Sequence, residues 1–246
     1  MAFFGAEPET GSSDFGAEPQ AGSPFGARAG VGEIDDALIF VDGWQDETTG
    51  SAVIEGGLEA AGITDFEQTQ SSEDFATRVA ENEPDLVIFA VQSTDVPPAG
   101  LAALEQHLES GGGVIAVDWT GNQDYLDLLQ AERVETNAGV IGTDDHPLFS
   151  TVSEPEIPLT NPGWGVWSAA YDPVGDAVGA GHLGDGNAAV IGNAGTSVLL
   201  GPLFDSYESV AQGQELLEGA IQLLGVGALE MGLQLPEPDV GSAFFG

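Results

Sequence analysis

The sequence predicts an α/β protein built on a doubly wound, mainly parallel β-sheet. Short runs of Val, Ile, Leu and Phe recur between residues 37 and 117, and they are apolar throughout, as strands buried on both faces are. Segments with apolar residues at helical spacing lie between these runs. Such alternation is typical of right-handed strand–helix–strand crossovers. With 42% hydrophobic residues, the chain has enough apolar side chains for a sizeable core.

The first half of the chain carries the clearest alternation, and start and stop signals separate its elements. Gly62 ends the first helix, Ser71 and its acidic neighbours suit the start of the second, and Pro97 and Pro98 open the third. Three glycines from Gly111 terminate that helix. The predicted strands are residues 37–41, 63–69, 85–91 and 114–118, and the other helices are residues 51–61, 71–82 and 123–131.

The second half has a different pattern. Residues 177–183 and 188–192 are predicted to form a β-hairpin, because the Gly-Asp-Gly-Asn sequence between them is typical of a turn. Residues 197–201 are predicted to form a further strand, and a final helix over residues 212–224 closes the domain.

Four segments together resemble a known superfold. They are residues 85–89, residues 104–117, Asp145-His146-Pro147-Leu148-Phe149, and Val198 to Pro202 ahead of the last helix. In this order they look like the flavodoxin-like sheet of the class I glutamine-amidotransferase-like superfold. The similarity is closest to its ThuA-like and uncharacterised cell-surface branches, and it covers residues 35 to 225.

The resemblance implies a nucleophile that this sequence lacks. Active amidotransferases of the superfold carry a Cys on the turn after the strand that here ends at Asp118, and the chain contains no Cys. Glutamine hydrolysis by that route is excluded. Thr120 and Asp118 lie near the expected position, but neither has an identifiable His partner in the sequence. We expect Asp118 to be structural, and enzymatic activity is left open with a preference for none.

The two ends differ from the middle. Residues 1–32 repeat a Phe-Gly-Ala unit within Gly, Ser, Pro and Glu, which is typical of a flexible segment. Residues 33–228 form the α/β domain, and residues 229–246 form a second tail. The tetrapeptide Ala-Phe-Phe-Gly occurs at residues 2–5 and again at residues 243–246. We interpret these aromatics either as docking anchors or as a cover for the domain's own edge. The candidate anchors are Phe3, Phe4, Phe15, Phe25, Phe244 and Phe245.

Composition limits the partners and the location. The chain has 41 acidic residues against 3 Arg and no Lys, a net charge of −38, so we expect neither nucleic acid nor an anionic membrane as a partner. No apolar stretch is long enough for membrane insertion. The absence of Lys and Cys resembles bacterial proteins exported through a type I secretion system, which favours an extracellular or cell-surface location. A halophile's cytoplasm, where salt screens the charge, is the alternative.

A ligand crevice is predicted at the carboxyl ends of the strands, where ligands of doubly wound sheets bind. Trp and carboxylate side chains there would suit a carbohydrate. The candidate residues are Asp42, Trp44, Gln92, Ser93, Asp118, Trp119 and Trp164. The Trp side chains could equally be plugs beneath loops. No cofactor is predicted, with calcium at Asp144, Asp145 and Asp185 as an open possibility.

The three histidines are scattered and predict no zinc site. We expect His107, between Glu105 and Glu109, to be solvated, His146 to fix a loop, and His182 to lie on a hairpin strand. Three functions remain. The preferred one is a non-catalytic structural subunit of an extracellular assembly, which forms homo-oligomers or binds a scaffold protein through its aromatic tails. The alternatives are a carbohydrate-binding or sugar-modifying ThuA-like protein and a halophile cytosolic protein with docking tails.

Overall fold

The computed structural model describes residues 33–44, 46–92, 95–134, 138–160 and 168–226. Its strands, numbered along the chain, are β1 Asp36–Val41, β2 Asp65–Thr69, β3 Leu86–Val91, β4 Gly113–Asp118, β5 Ala131–Val134, β6 Val140–Gly142, β7 Glu156–Pro158, β8 Ala170–Pro173, β9 Val178–Ala180, β10 Ala189–Gly192 and β11 Ser197–Leu200. The helices are α1 Glu47–Ala60, α2 Ser72–Asn82, α3 Pro98–Ser110, α4 Gln123–Leu128 and α5 Val210–Val226. The two tails predicted from the sequence lie outside the described residues, as do Ser93 and Trp164.

Seven of the described strands form one central sheet in the order β2-β1-β3-β4-β11-β10-β9. The first five are parallel to one another, whereas β10 is antiparallel to both β11 and β9. The remaining strands form two small antiparallel pairs, β5 with β8 and β6 with β7. The predicted α/β class with a large, mainly parallel sheet is therefore confirmed.

Helices cover both faces of the sheet because alternate side chains of its central strands point in opposite directions. On one face, Ile39, Ile88 and Ile115 pack with residues of α1 and α5. On the other, Phe40 and Phe89 stack with ring centroids 4.7 Å apart and pack with residues of α2 and α3. Each strand of this central group is thus buried on both sides, which explains its continuous apolar sequence.

Helix boundaries follow local capping chemistry, and two predicted boundaries were wrong. Helix α1 begins at Glu47 rather than residue 51, because Asp46 caps it by accepting a hydrogen bond from Thr49 N at 3.3 Å. Helix α4 ends at Leu128, because Gln130 adopts a left-handed conformation with φ of 57° that interrupts the helix. The residues from Ala131 then form β5 instead of helix.

The prediction of a solvated His107 was also wrong. Its side chain is only 4% exposed, and its Nε2 lies 3.1 Å from the carbonyl oxygen of Gly113. Gly112 permits this packing, because a Cβ there would overlap the imidazole ring. Burial lowers the pKa of His107, although the nearby carboxylates of Asp85 and Asp36 act in the opposite direction.

Candidate functional site

The carboxyl ends of three adjacent strands bring the predicted crevice residues to one edge of the sheet. Asp42 follows β1, Gln92 follows β3, and Asp118 ends β4. The chain continues from β1 to β2 on one side and from β3 to β4 on the other, so the topological switch point lies between β1 and β3. This is the position at which doubly wound proteins bind ligands.

Asp118 uses both carboxylate oxygens within its own turn. Oδ1 accepts hydrogen bonds from the backbone N of Thr120 at 2.8 Å and from its hydroxyl at 2.7 Å, and Oδ2 accepts one from Gly121 N at 2.8 Å. The side chain is 1% exposed. Burial raises the pKa of Asp118, while these hydrogen bonds and the charge of Arg133 oppose that shift. The Thr120 hydroxyl, which lies near the position expected of a nucleophile, therefore donates its hydrogen bond to Asp118.

Gln92 joins three strand ends to one another. Its backbone N donates to Asp42 Oδ1 at 2.6 Å, and its Nε2 donates to the carbonyl oxygen of Gly43 at 3.2 Å. Its Oε1 accepts a hydrogen bond from Phe204 N at 2.9 Å, which ties in the segment after β11. The sequence did not point to this segment after β11, although its position directly after a predicted strand was an available signal.

Trp44 and Trp119 are half-buried rather than open stacking platforms. The Trp44 indole lies against Gly50 of α1, where any side chain would overlap it. The carbonyl oxygen of Trp119 accepts a hydrogen bond from Arg133 Nη1 at 2.8 Å, and its side chain packs on the same core as Trp44. Both rings thus fill space over the core, as the alternative interpretation of plugs requires.

The space between Asp118, Trp119 and Arg133 is small. It has a volume of about 10 Å³, close to the lower limit for holding a single water molecule. Ligand pockets typically measure about 300–1,000 Å³. The Tyr171 hydroxyl closes the region from below by donating to the Asp118 carbonyl oxygen at 2.7 Å. Among the described residues that line it, this space accommodates no sugar ring without rearrangement.

The calcium candidates serve the surrounding loops. All three carboxylates are exposed, and Asp144 accepts hydrogen bonds from His146 N at 3.0 Å and from Gly181 N at 2.9 Å. His146 Nδ1 accepts a hydrogen bond from Leu148 N at 3.2 Å, and burial lowers its pKa. In the ranges that the structure describes, no group of three or more metal-ligating side chains is found.

Little of the negative charge is paired. Among the described residues, the ion pairs are those of Arg78 with Glu67 and Asp74. The described helices include none that is long and apolar enough to span a membrane. The domain therefore presents a mostly uncompensated acidic surface, which repels a second copy unless salt screens it.

Comparisons with known proteins agree with this architecture. No protein-family model and no curated protein matches the sequence. Among solved structures, a ThuA-like protein from Bacteroides uniformis ATCC 8492 superimposes with a TM-score of 0.54 at 15% identity, over 82% of this chain and 95% of that one. The mmIFT52 N-terminal domain superimposes with a TM-score of 0.54 at 13% identity, over 79% and 99%.

At these identities the likeness concerns the fold. It agrees with the resemblance of the strand and helix segments, and Asp118 occupies the strand end at which that resemblance places the nucleophile. The chain has no cysteine in its sequence. The described domain therefore has a ThuA-like fold, in a chain that has no Cys to act as a nucleophile.

Proposed function

We propose that this chain is a non-catalytic structural subunit that joins copies of itself through the Ala-Phe-Phe-Gly segments at its two ends. The observation that carries the proposal is the state of Asp118. Its carboxylate accepts three hydrogen bonds from the turn that it caps, at the strand end where the superfold places its nucleophile. A carboxylate that accepts three hydrogen bonds from its own turn stabilises that turn, which is a structural role.

The direction in which the chain leaves the domain supports linking. Strand β1 begins at Asp36, so the N-terminal segment enters at the edge where the parallel strands start. Helix α5 runs parallel to α1, since Gly213 lies against Val53 and Leu217 against Gly57, and it ends at that same edge. Both Phe pairs are thus connected to one edge, opposite the strand ends that carry Asp118.

The free energy of burying a Phe pair predicts that each contact is weak and that two contacts per molecule bind more tightly together. Burying one Phe side chain contributes about 1.5–3 kcal/mol, so a Phe pair contributes about 3–6 kcal/mol before the cost of ordering the tail. This corresponds to dissociation constants no tighter than about 40 μM. Two ends per molecule raise the avidity, since a second contact becomes intramolecular.

Sedimentation velocity tests the proposal in 1 M NaCl, where the Debye length is about 3 Å and the mutual repulsion of the −38 charges is screened. We expect the intact chain to form species larger than the monomer between about 10 and 500 μM, the range set by the weak contacts above. F3S/F4S and F244S/F245S should each weaken that association at least five-fold.

The Phe15→Ser variant is the matched control, since it removes a tail aromatic outside the duplicated tetrapeptide. It should sediment like the intact chain. Equal sedimentation of the intact chain and both Phe-pair variants, as monomers or as larger species, would remove the basis for linkage through these ends.

Carbohydrate binding is a second candidate, and one observation favours it. The Nε1 donor of Trp44 and the hydroxyl of Ser206 are buried without a hydrogen-bond partner in the described part of the chain. The segments that carry them are in contact, because Asp46 N donates to Asp205 Oδ2 at 3.1 Å. A sugar hydroxyl could satisfy them if this edge opened.

The Trp44→Phe variant separates the two functions, because it keeps an aromatic side chain at this position and removes the Nε1 donor. Binding of a neutral sugar panel, measured by calorimetry, should be lost in the variant if this edge is a sugar site. If the intact chain binds no sugar of the panel, the carbohydrate-binding function is rejected and the structural function is retained. The extracellular and halophile-cytoplasm locations are both compatible with either function, since each supplies screening ions.

A further inference from the structure

A groove lies between the ends of α2 and α3, at the edge of the sheet where the parallel strands begin. Its volume is about 330 Å³, within the range of about 300–1,000 Å³ that is typical of ligand sites. The residues that line the groove include the apolar Val79, Ala80 and Pro84, the acidic Glu83 and Asp85, and the buried His107. This groove is separate from the strand ends that carry Asp118.

The groove is electronegative. Glu83 and Asp85 line it, and the carbonyl ends of two helices point toward it with their partial negative charge. His107 brings no compensating charge, because burial lowers its pKa and keeps the ring neutral at pH 7. Arg78 is engaged by Glu67 and Asp74, and Arg133 contacts Trp119 at the opposite edge. A cationic group from outside this groove would therefore bind favourably beside its carboxylates.

The chain itself enters the domain at the rim of this groove. Asp35 N donates to Asp85 Oδ2 at 3.0 Å, and Asp85 N donates to Asp36 Oδ1 at 2.7 Å. Residue 28 precedes this fixed point by seven residues, which span at most about 25 Å when extended. The residues immediately upstream are thus within reach of the whole groove.

The tail repeat changes its charge at this point. Two units, at residues 4–7 and 15–18, read Phe-Gly-Ala-Glu, whereas the unit at residues 25–28 reads Phe-Gly-Ala-Arg. Arg28 is one of only 3 basic residues in a chain with 41 acidic ones. The unit nearest to the acidic groove is therefore the unit that carries the opposite charge.

We propose that the segment from Phe25 to Arg28 docks in this groove of its own molecule, with the Phe25 ring on the apolar wall and the Arg28 guanidinium beside Glu83 and Asp85. A short tether keeps the segment at a local concentration of about millimolar, so that modest affinity suffices. Docking would fix the base of the tail and leave residues 1–24 free to reach another molecule. The proposal does not depend on self-association.

Disulfide trapping in the full-length chain tests this placement, because the natural sequence has no Cys to interfere. The A27C/A80C variant pairs the docked segment with an exposed position on the groove wall. A17C/A80C is the matched control from the preceding repeat. Its longer tether alone lowers the rate of closure roughly three-fold by the −3/2 power law for flexible chains.

Adding Arg28→Glu to A27C/A80C gives the third unit the Glu that ends the other two units, at unchanged tether length. We expect an intramolecular disulfide in A27C/A80C that forms at least ten-fold faster than in the version carrying Arg28→Glu. Phe25→Ser should reduce the rate similarly. Circular dichroism of each variant verifies that the domain is folded.

The outcomes distinguish the alternatives. A rate unchanged by Arg28→Glu, or equal to that of A17C/A80C after the three-fold tether correction, would overturn the docking. Crosslinks that form only between molecules, seen as dimers on a non-reducing gel, would overturn its placement within one chain. Neither result bears on the Phe3, Phe4, Phe244 and Phe245 ends, whose role the sedimentation experiment tests separately.

Discussion

Replacing Asp118 by Ala distinguishes a structural carboxylate from a catalytic or ligand-binding one. Replacing a residue that is needed only for catalysis or binding often leaves the stability of the fold unchanged or raises it. Replacing a residue that caps a buried turn lowers the stability, because the N–H groups of Thr120 and Gly121 lose their acceptor. Stability therefore reports which role Asp118 has.

The magnitude follows from the three hydrogen bonds of 2.7–2.8 Å that its carboxylate accepts. Hydrogen bonds to a charged group contribute about 1.5–3 kcal/mol each. The sum is reduced because the substitution also removes the cost of burying a carboxylate, the same cost that raises the pKa of Asp118. We expect a net loss of about 3 kcal/mol for Asp118→Ala, in line with broken buried networks.

Urea unfolding followed by circular dichroism measures this loss. With a slope of about 3 kcal/mol/M, suited to a domain of this size, the midpoint should fall by about 1 M. Asp127→Ala is the control, since Asp127 is an exposed carboxylate on α4 that accepts one hydrogen bond, from Gln123. A change below about 0.5 kcal/mol for Asp118→Ala, the size expected of a surface substitution, would refute the structural role.

Three further predictions concern packing, pH and salt. Gly57→Ala should cost about 1–3 kcal/mol in thermal or urea unfolding, because its Cβ would lie 2.8–2.9 Å from three atoms of Leu217. Gly56→Ala should cost less, because the Gln214 amide can turn away at the loss of its hydrogen bond to the Ala52 carbonyl oxygen, and the higher helix propensity of Ala offsets about 1 kcal/mol of that loss. The pKa of His107 is lowered in the folded state, so below about pH 6.5 the unfolded chain binds a proton that the folded chain does not. As the pH is lowered, the wild-type protein should therefore lose more stability than His107→Gln does; parallel pH profiles of the two proteins would contradict this. Raising NaCl from 0.1 to 1 M should increase the melting temperature, since screening weakens the repulsion among −38 net charges; a lower melting temperature would count against it.

The sequence predicted the central sheet well because its signals are local. Continuous apolar runs mark β1, β3 and β4, and the glycines from Gly111 mark the end of α3. The pairs β5–β8 and β6–β7 were not predicted, since strands of three or four residues carry no periodicity of their own. Their pairing depends on contacts between residues distant in the chain.

For His107, the flanking charges predicted the wrong degree of burial, whereas the helical spacing of its neighbours indicates the right one. Its acidic neighbours Glu105 and Glu109 suggest a solvated position. Helical spacing indicates otherwise, because Gly100, Ala103, Leu104, His107 and Leu108 share one stripe of α3, and the structure buries all five. Periodicity of the whole helix was thus a better guide to burial than the flanking charges.

For the candidate site, the sequence located the strand ends but not their hydrogen-bond partners. Asp42, Gln92 and Asp118 were expected at one edge because parallel strands end together. That Phe204 would supply the partner of Gln92 Oε1 required knowledge of where β11 lies in the sheet. The position of Trp44 against Gly50 likewise depends on the packing of α1, which composition does not reveal.

The mass of the intact chain in solution tests the central proposal most directly. Light scattering in 1 M NaCl should give a weight-average mass that rises with concentration above the 25.2 kDa of one chain, and the F3S/F4S/F244S/F245S variant should remain at that monomer mass while its circular dichroism is unchanged. A monomer mass for the intact chain at every concentration, or the same larger mass for both proteins, would contradict a structural subunit that is joined through its aromatic ends.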